Sequence, residues 1–134
     1  MLKLAQEHRA IMVAHAQEGF PNEACGLLAG EVQGDEKVIK KVYCLNNLDQ
    51  SPEHFSMAPE EQFKAVADLR KNGLVLLGNF HSHPGSPARP SDEDIRLAFD
   101  PTLSYVIISL QAGEPVLKSF LIRQGTVSEE AVQV

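Results

Sequence analysis

Apolar positions follow two rhythms along this chain. Leu2, Leu4, Ile11, Met12 and the stretch Ala14 to Ala16 recur at helical spacing through about residue 18, which predicts a first helix. Gly19 stops it, with Pro21 just beyond. The run CGLLAGEV from Cys25 is short, apolar and bounded by Gly30 and Gly34, which suits a buried strand. KVIKKVYCLNN, residues 37–47, is rich in β-branched and aromatic residues and partly alternates, so it predicts the next strand. Asn46 to Asp49 and Ser51-Pro52 mark a loop, and His54 to Met57 predict a further short strand.

Pro59 opens a second helix, with Glu60 and Glu61 near the positive end of its dipole and Phe63, Val66, Ala67 and Leu69 on its apolar face. Gly73 ends it. LVLLGNFH, 74–81, is the most apolar run and predicts a central strand buried on both sides. A loop rich in Pro, Ser and Gly follows, then a helix from about Ser91 to Phe99, closed by Asp100-Pro101 because the residue before proline avoids helical angles. SYVIISL, 104–110, and VLKSFLIRQG, 116–125, predict two more strands, and TVSEEAVQV an edge strand. Without repeats, low-complexity segments or linkers, residues 1–134 read as one α/β domain with a mixed sheet.

Composition narrows the function classes. With 12 basic against 18 acidic residues and a net charge of −6, there is no basic face for a nucleic-acid backbone. No apolar stretch approaches the roughly 18–20 residues of a membrane span, and the first residues mix charges through their apolar positions, unlike a signal peptide. The expected location is the cytoplasm. The two cysteines, Cys25 and Cys44, form no C-x-x-C and are expected to be buried, reduced thiols. A reactive Cys25 is the sharper alternative, but no base or cation is placed to lower its pKa.

The chemistry concentrates in GNFHSHPGSPARPSDED, residues 78–94. Strand side chains repeat every two residues, so His81 and His83 project to one side, at a spacing that suits two imidazoles on one metal. Ser82 between them projects to the other side and is expected to be structural. Pro84 stops the strand, and Gly85, Pro87 and Pro90 build a stiff turn that brings the chain back. Asp94, in the first turn of the following helix, then completes a His/His/Asp set. Three protein ligands leave a position for water, as catalytic zinc sites do, and two imidazoles favour zinc over calcium or magnesium. Ser91-x-x-Asp94 is equally the pattern of a helix capping box, and an isolated His-x-His is often incidental. Glu23, in PNEACGLLAG, is a candidate base for the water, or simply a solvated loop carboxylate. His8 and His15 share a face of the first helix and read as surface or half-buried packing rather than a second metal site, and His54, a polar residue on a short strand, reads the same way. Arg89 reads as a solvated loop arginine, with bidentate contact to a substrate carboxylate as the alternative.

Glu23 followed by CGLLAG, then His81-Ser82-His83-Pro84, then Ser91-x-x-Asp94, resembles the JAMM (MPN-plus) zinc metallopeptidases over about residues 5–122. The resemblance implies a curved, mostly antiparallel sheet flanked by helices, related to cytidine deaminases. It implies that His81, His83 and Asp94 hold one zinc ion and that Glu23 is the general base for the zinc water. It also implies that Ser91 donates a hydrogen bond to the oxyanion of the tetrahedral intermediate. The short connection from Phe99 to Tyr105 leaves no room for ubiquitin-gripping insertions, so the chain looks like the small stand-alone prokaryotic members.

Those members imply hydrolysis of an amide bond at the C-terminus of a ubiquitin-like sulfur carrier protein, whose tail would lie extended beside a sheet edge. Two alternatives use the same scaffold: an isopeptidase freeing a ubiquitin-like modifier from lysine, and a non-catalytic MPN-type binding module. The intact Glu/His/His/Asp set argues against the binding module. Nucleobase deamination would need Cys-rich zinc ligation and His-x-Glu, and neither is present.

Overall fold

The computed structural model describes residues 1–134 and places them in one eight-stranded sheet with three helices. In chain order the elements are β1 (Leu2–Lys3), α1 (Gln6–Gly19), β2 (Cys25–Gln33), β3 (Glu36–Leu45), α2 (Pro59–Lys71) and β4 (Val75–His83). They continue with α3 (Asp92–Arg96), β5 (Ser104–Ser109), β6 (Val116–Arg123), β7 (Thr126–Glu130) and β8 (Val132–Gln133). The strand order is β7-β6-β5-β4-β2-β3-β1-β8. β2 pairs antiparallel with both β3 and β4, whereas β4 runs parallel to β5.

β7 and β8 stand at opposite edges of that order, yet only Ala131 separates them in sequence. The sheet must therefore curl until its edges meet, giving a nearly closed barrel. Polar groups line the seam: buried Glu130 accepts hydrogen bonds from the Ser104 and Ser119 hydroxyls at 2.7 and 2.8 Å. Lys37 donates to Ser104 Oγ at 2.8 Å and to the Thr102 carbonyl at 2.7 Å.

Strand parity sorts the core onto two faces. Leu28, Ile39, Phe80, Val106 and Ile108 pack with Met12 and Ala16 of α1 on one face. On the other, Cys25, Leu27 and Leu45 pack with Ala65 of α2, while Tyr105, Ile107, Phe120 and Ile122 pack with Ile95 of α3. Gly26 is required where β2 runs between β3 and β4: a Cβ there would overlap the Tyr43 carbonyl and the Phe80 ring. This close packing seats β4 with its odd-numbered end residues, His81 and His83, on the face between α2 and α3.

Several expectations need correction. Leu2 and Leu4 belong to β1 and its end, not to the first helix: both are buried around half-buried Lys3, a period of two that merges with the helical rhythm following it. The 91–99 helix is only Asp92–Arg96; beyond it Ala98 and Phe99 N–H groups bond back to Ile95 and Leu97 in tight turns. The 54–57 strand reduces to a single antiparallel bridge between Asn47 and Met57. The tail supplies two strands, one at each edge. Cys25 is fully buried as expected, but Cys44, on the outer face of β3, is exposed. No helix is long and apolar enough to cross a membrane.

Candidate active site

β4 delivers His81 and His83 side by side, both nearly inaccessible to solvent, and Pro84 ends the strand directly after them. The turn through Pro87 and Pro90 returns the chain to α3. There the capping box forms in full: the Asp94 N–H donates to Ser91 Oγ at 3.0 Å, and the Ser91 N–H donates to Asp94 Oδ2 at 2.9 Å. The cap and the candidate metal ligand are thus the same residues, not alternatives. The cap orients the Asp94 carboxylate, and Ser91 Oγ, used there as an acceptor, keeps its own proton free to donate.

His81 Nε2, His83 Nε2 and Asp94 Oδ2 form a triangle with every edge 3.1 Å. An ion with bonds of about 2.0–2.1 Å to three corners of a tetrahedron needs edges of roughly 3.3–3.4 Å, so little adjustment is required. His83 Nδ1 lies 2.9 Å from the Pro87 carbonyl, which can only accept, so Nδ1 carries the proton and the Nε2 lone pair points into the triangle. His81 Nδ1 is buried and has no hydrogen-bond partner. The Phe55 ring stacks on His81, with centroids 4.7 Å apart and planes 23° from parallel. These three side chains can hold a metal ion.

Electrostatics fit that donor set. Burial would raise the Asp94 carboxyl, but its contacts with the His81 and His83 nitrogens and with the Ser91 N–H outweigh it and hold the group well below the usual carboxylate range. Burial opposes a charge on His83, yet the Asp94 carboxylate and the Pro87 carbonyl raise its pKa. Two imidazole nitrogens and a carboxylate oxygen therefore crowd one point, an arrangement that a cation relieves.

Glu23 joins the site from a different part of the chain. It is only 6% exposed, and burial pushes its carboxyl up to about 8, with His83 partly offsetting the effect. The reading of Glu23 as a solvated loop carboxylate is therefore set aside. Its backbone is held on three sides: Glu23 N–H donates to the Ser51 carbonyl at 2.8 Å, and Asn47 Nδ2 donates to the Glu23 carbonyl at 3.0 Å. On the third, Ala24 and Ser82 exchange hydrogen bonds, Ala24 N–H to Ser82 Oγ at 2.7 Å and Ser82 N–H to the Ala24 carbonyl at 2.9 Å. Ser82 does point away from the imidazoles, and from there it ties Glu23 to the strand that carries them.

The 46–58 loop contributes residues that sequence reasoning did not assign to the site. Phe55 covers His81, and His54, expected at the surface, is exposed but pairs with Glu93 at 2.8 Å. The His54 pKa is raised by that hydrogen bond. Their only signal in the sequence was an aromatic and a histidine in a polar loop. Arg89 is exposed, as expected of a solvated loop arginine. His15 lies half-buried, its Nε2 3.0 Å from the carbonyls of Cys25 and Leu45, so it is a packing residue. Cys25 is pushed up to about 12 by burial, which removes it as a nucleophile.

A near-closed sheet presenting a His/His/Asp triangle that could hold a metal, beside a buried carboxylate, is the arrangement of a hydrolase of the JAB/MPN fold. The model of prokaryotic homologs of the JAB domain matches residues 5–123, and the chain belongs to that family. It is 35% identical over 124 residues to the CysO-cysteine peptidase of Mycobacterium tuberculosis, covering 92% of this chain and 84% of that one. It is 32% identical over 113 residues to the desampylase of Haloferax volcanii, covering 81% and 80% of the two chains. A protein of Desulfitobacterium hafniense solved in solution superposes with a TM-score of 0.91 at 60% identity, over 99% of this chain and 92% of that one. The chain is an enzyme, a peptidase of the JAMM type.

Proposed function

We propose that residues 1–134 act as one zinc-dependent metallopeptidase domain that hydrolyses an amide bond at the C-terminus of a ubiquitin-like sulfur carrier protein. The observation that carries this reading is the triangle of His81 Nε2, His83 Nε2 and Asp94 Oδ2, each edge 3.1 Å, with buried Glu23 beside it. His81, His83 and Asp94 would hold one zinc ion; bound there, it supplies Lewis acidity that brings the pKa of water to about 7 and polarises the scissile carbonyl. Glu23, in its ionised form, takes a proton from the attacking water and passes it to the departing amine; burial alone favours the protonated carboxyl, and a cation held in the neighbouring triangle would favour the ionised one. Ser91 donates a hydrogen bond from its free hydroxyl to the oxyanion that develops on the carbonyl. His83 is oriented by Pro87, and Asp94 by the capping box. We place the enzyme in the cytoplasm, in keeping with its two free thiols.

The names of the relatives, a CysO-cysteine peptidase and a desampylase, support a carrier or modifier conjugate as substrate. The second of these favours an isopeptidase as the other reading, with the same chemistry and a lysine amine leaving. The test is incubation of the zinc-loaded protein with carrier fusions bearing different C-terminal extensions or a lysine-linked partner, read by mass. Cleavage directly after the carrier's terminal residue in the peptide fusions supports the proposal. Cleavage of the lysine-linked substrate alone replaces it with the isopeptidase, and intact substrates throughout with a binding module.

A further inference from the structure

Behind the triangle, on the side of α3, lies a cavity of about 60 Å³. Its wall is mostly apolar, with Phe55, Leu97, Ile107 and Ile122 among the lining residues, but His81 and Asn79 also face it. His81 is 3% exposed, and its Nδ1 is the buried nitrogen without a partner. A histidine whose Nε2 faces a metal carries its proton on Nδ1, and that N–H needs an acceptor to fix the tautomer and the ring orientation. His83 has one in the Pro87 carbonyl; His81 has none among the protein atoms. Asn79 lies two residues before His81 on β4 and so on the same face of the strand, and its carboxamide is in no hydrogen bond to other side chains or backbone.

We infer that Asn79 is a positioning residue for the metal centre, accepting the His81 Nδ1–H through a water held in this cavity. The spacing supports a bridge over direct contact, because same-face neighbours on a strand stand roughly 6.6 Å apart along the chain. The volume admits a water, which needs about 10–15 Å³, and two polar partners are in place. Of the other polar lining groups, Tyr105 Oη donates to the Asp100 carbonyl at 2.8 Å, Glu93 pairs with His54, and Asp94 Oδ2 is taken up by the two imidazoles and the Ser91 N–H. The inference rests on the proposed metal site and adds its supporting shell.

The test measures zinc affinity by competition with a chelator, together with the melting temperature of the zinc-free protein, for the parent, Asn79→Leu, Asn79→Ser and His81→Ala. Asn79→Leu fills the cavity and removes the acceptor; it should weaken zinc binding about 10-fold or more while leaving the zinc-free melting temperature at or above that of the parent. Asn79→Ser keeps a hydroxyl and makes room for a second water, so it should stay within about 3-fold of the parent. A packing role predicts the reverse order, since Leu fills the space and Ser empties it. Parent-like zinc affinity in Asn79→Leu, or greater loss in Asn79→Ser than in Asn79→Leu, overturns the inference. His81→Ala separates the two ideas: if it loses zinc while Asn79→Leu does not, only the role of Asn79 fails; if it too binds like the parent, the metal site itself fails.

Discussion

Replacing Glu23 with Gln should make the zinc-free protein more stable while removing its catalysis. Glu23 is buried, and its carboxyl is held at about 8 against an ordinary 4.5. The folded state therefore keeps a proton that the unfolded chain gives up. As pH rises from about 4.5 to about 8, the folded state is progressively penalised, because it must either hold its proton against the solution or ionise a buried group. Each pKa unit is worth about 1.4 kcal/mol, which sets a ceiling of about 5 kcal/mol above pH 8; solvent reaching the open side of the site reduces this to about 2 kcal/mol. Gln is nearly isosteric and never ionises. Chelator-treated parent and Glu23→Gln should melt together near pH 4, and the variant should melt higher by about 8 °C at pH 8. Zinc should shrink that gap, since a neighbouring cation favours the ionised carboxylate of the parent. Thermal melts from pH 4 to 8.5, with and without chelator, give the full comparison. A melting difference that does not change with pH would refute the reasoning, because it would mean that Glu23 is not held protonated by burial.

Ser91→Ala removes both the helix cap and the proposed oxyanion donor: thermal melts should give a loss of about 1 kcal/mol, and single-turnover cleavage should fall about 10²–10³-fold. Gly26→Ala drives a methyl into the Phe80 ring and the Tyr43 carbonyl, and denaturant titration should show about 1–3 kcal/mol of destabilisation. A thiol reagent at pH 8 should modify exposed Cys44, more slowly than a free thiol because partial burial pushes its pKa up, and leave Cys25 untouched until the chain unfolds, with peptide mapping to assign the sites.

The parts of this molecule written in local spacing were legible from sequence. His81 and His83 share a face because a strand repeats every two residues, and Asp94 reaches them because a short proline-rich turn leads into a capped helix. The capping-box pattern was a sound reading of the backbone, and it does not exclude the metal reading, because the carboxylate oxygen that closes the cap also stands in the triangle. Long-range relations were not legible. Glu23 is brought to the triangle by the Ala24–Ser82 exchange and by the 46–58 loop, contacts that span up to 58 residues. Phe55 and Asn79 carry no pattern at all; one is an aromatic in a loop, the other a polar residue inside an apolar strand. The closure of the sheet depends on Ala131 passing between its two edges, which no periodicity of the tail foretells. At the N-terminus the failure was one of period: two alternating leucines ran into the first helical turn and were absorbed by it.

The central claim is that His81, His83 and Asp94 converge on one zinc ion. X-ray absorption at the zinc edge, on protein reconstituted to equivalence and compared with His83→Ala and Asp94→Ala, tests it directly. The account predicts one zinc per chain in a shell of nitrogen and oxygen with the scattering signature of two imidazoles, and loss of tight binding in both variants. Substoichiometric zinc in the parent, sulfur in the shell, or variants that bind zinc as the parent does would contradict it.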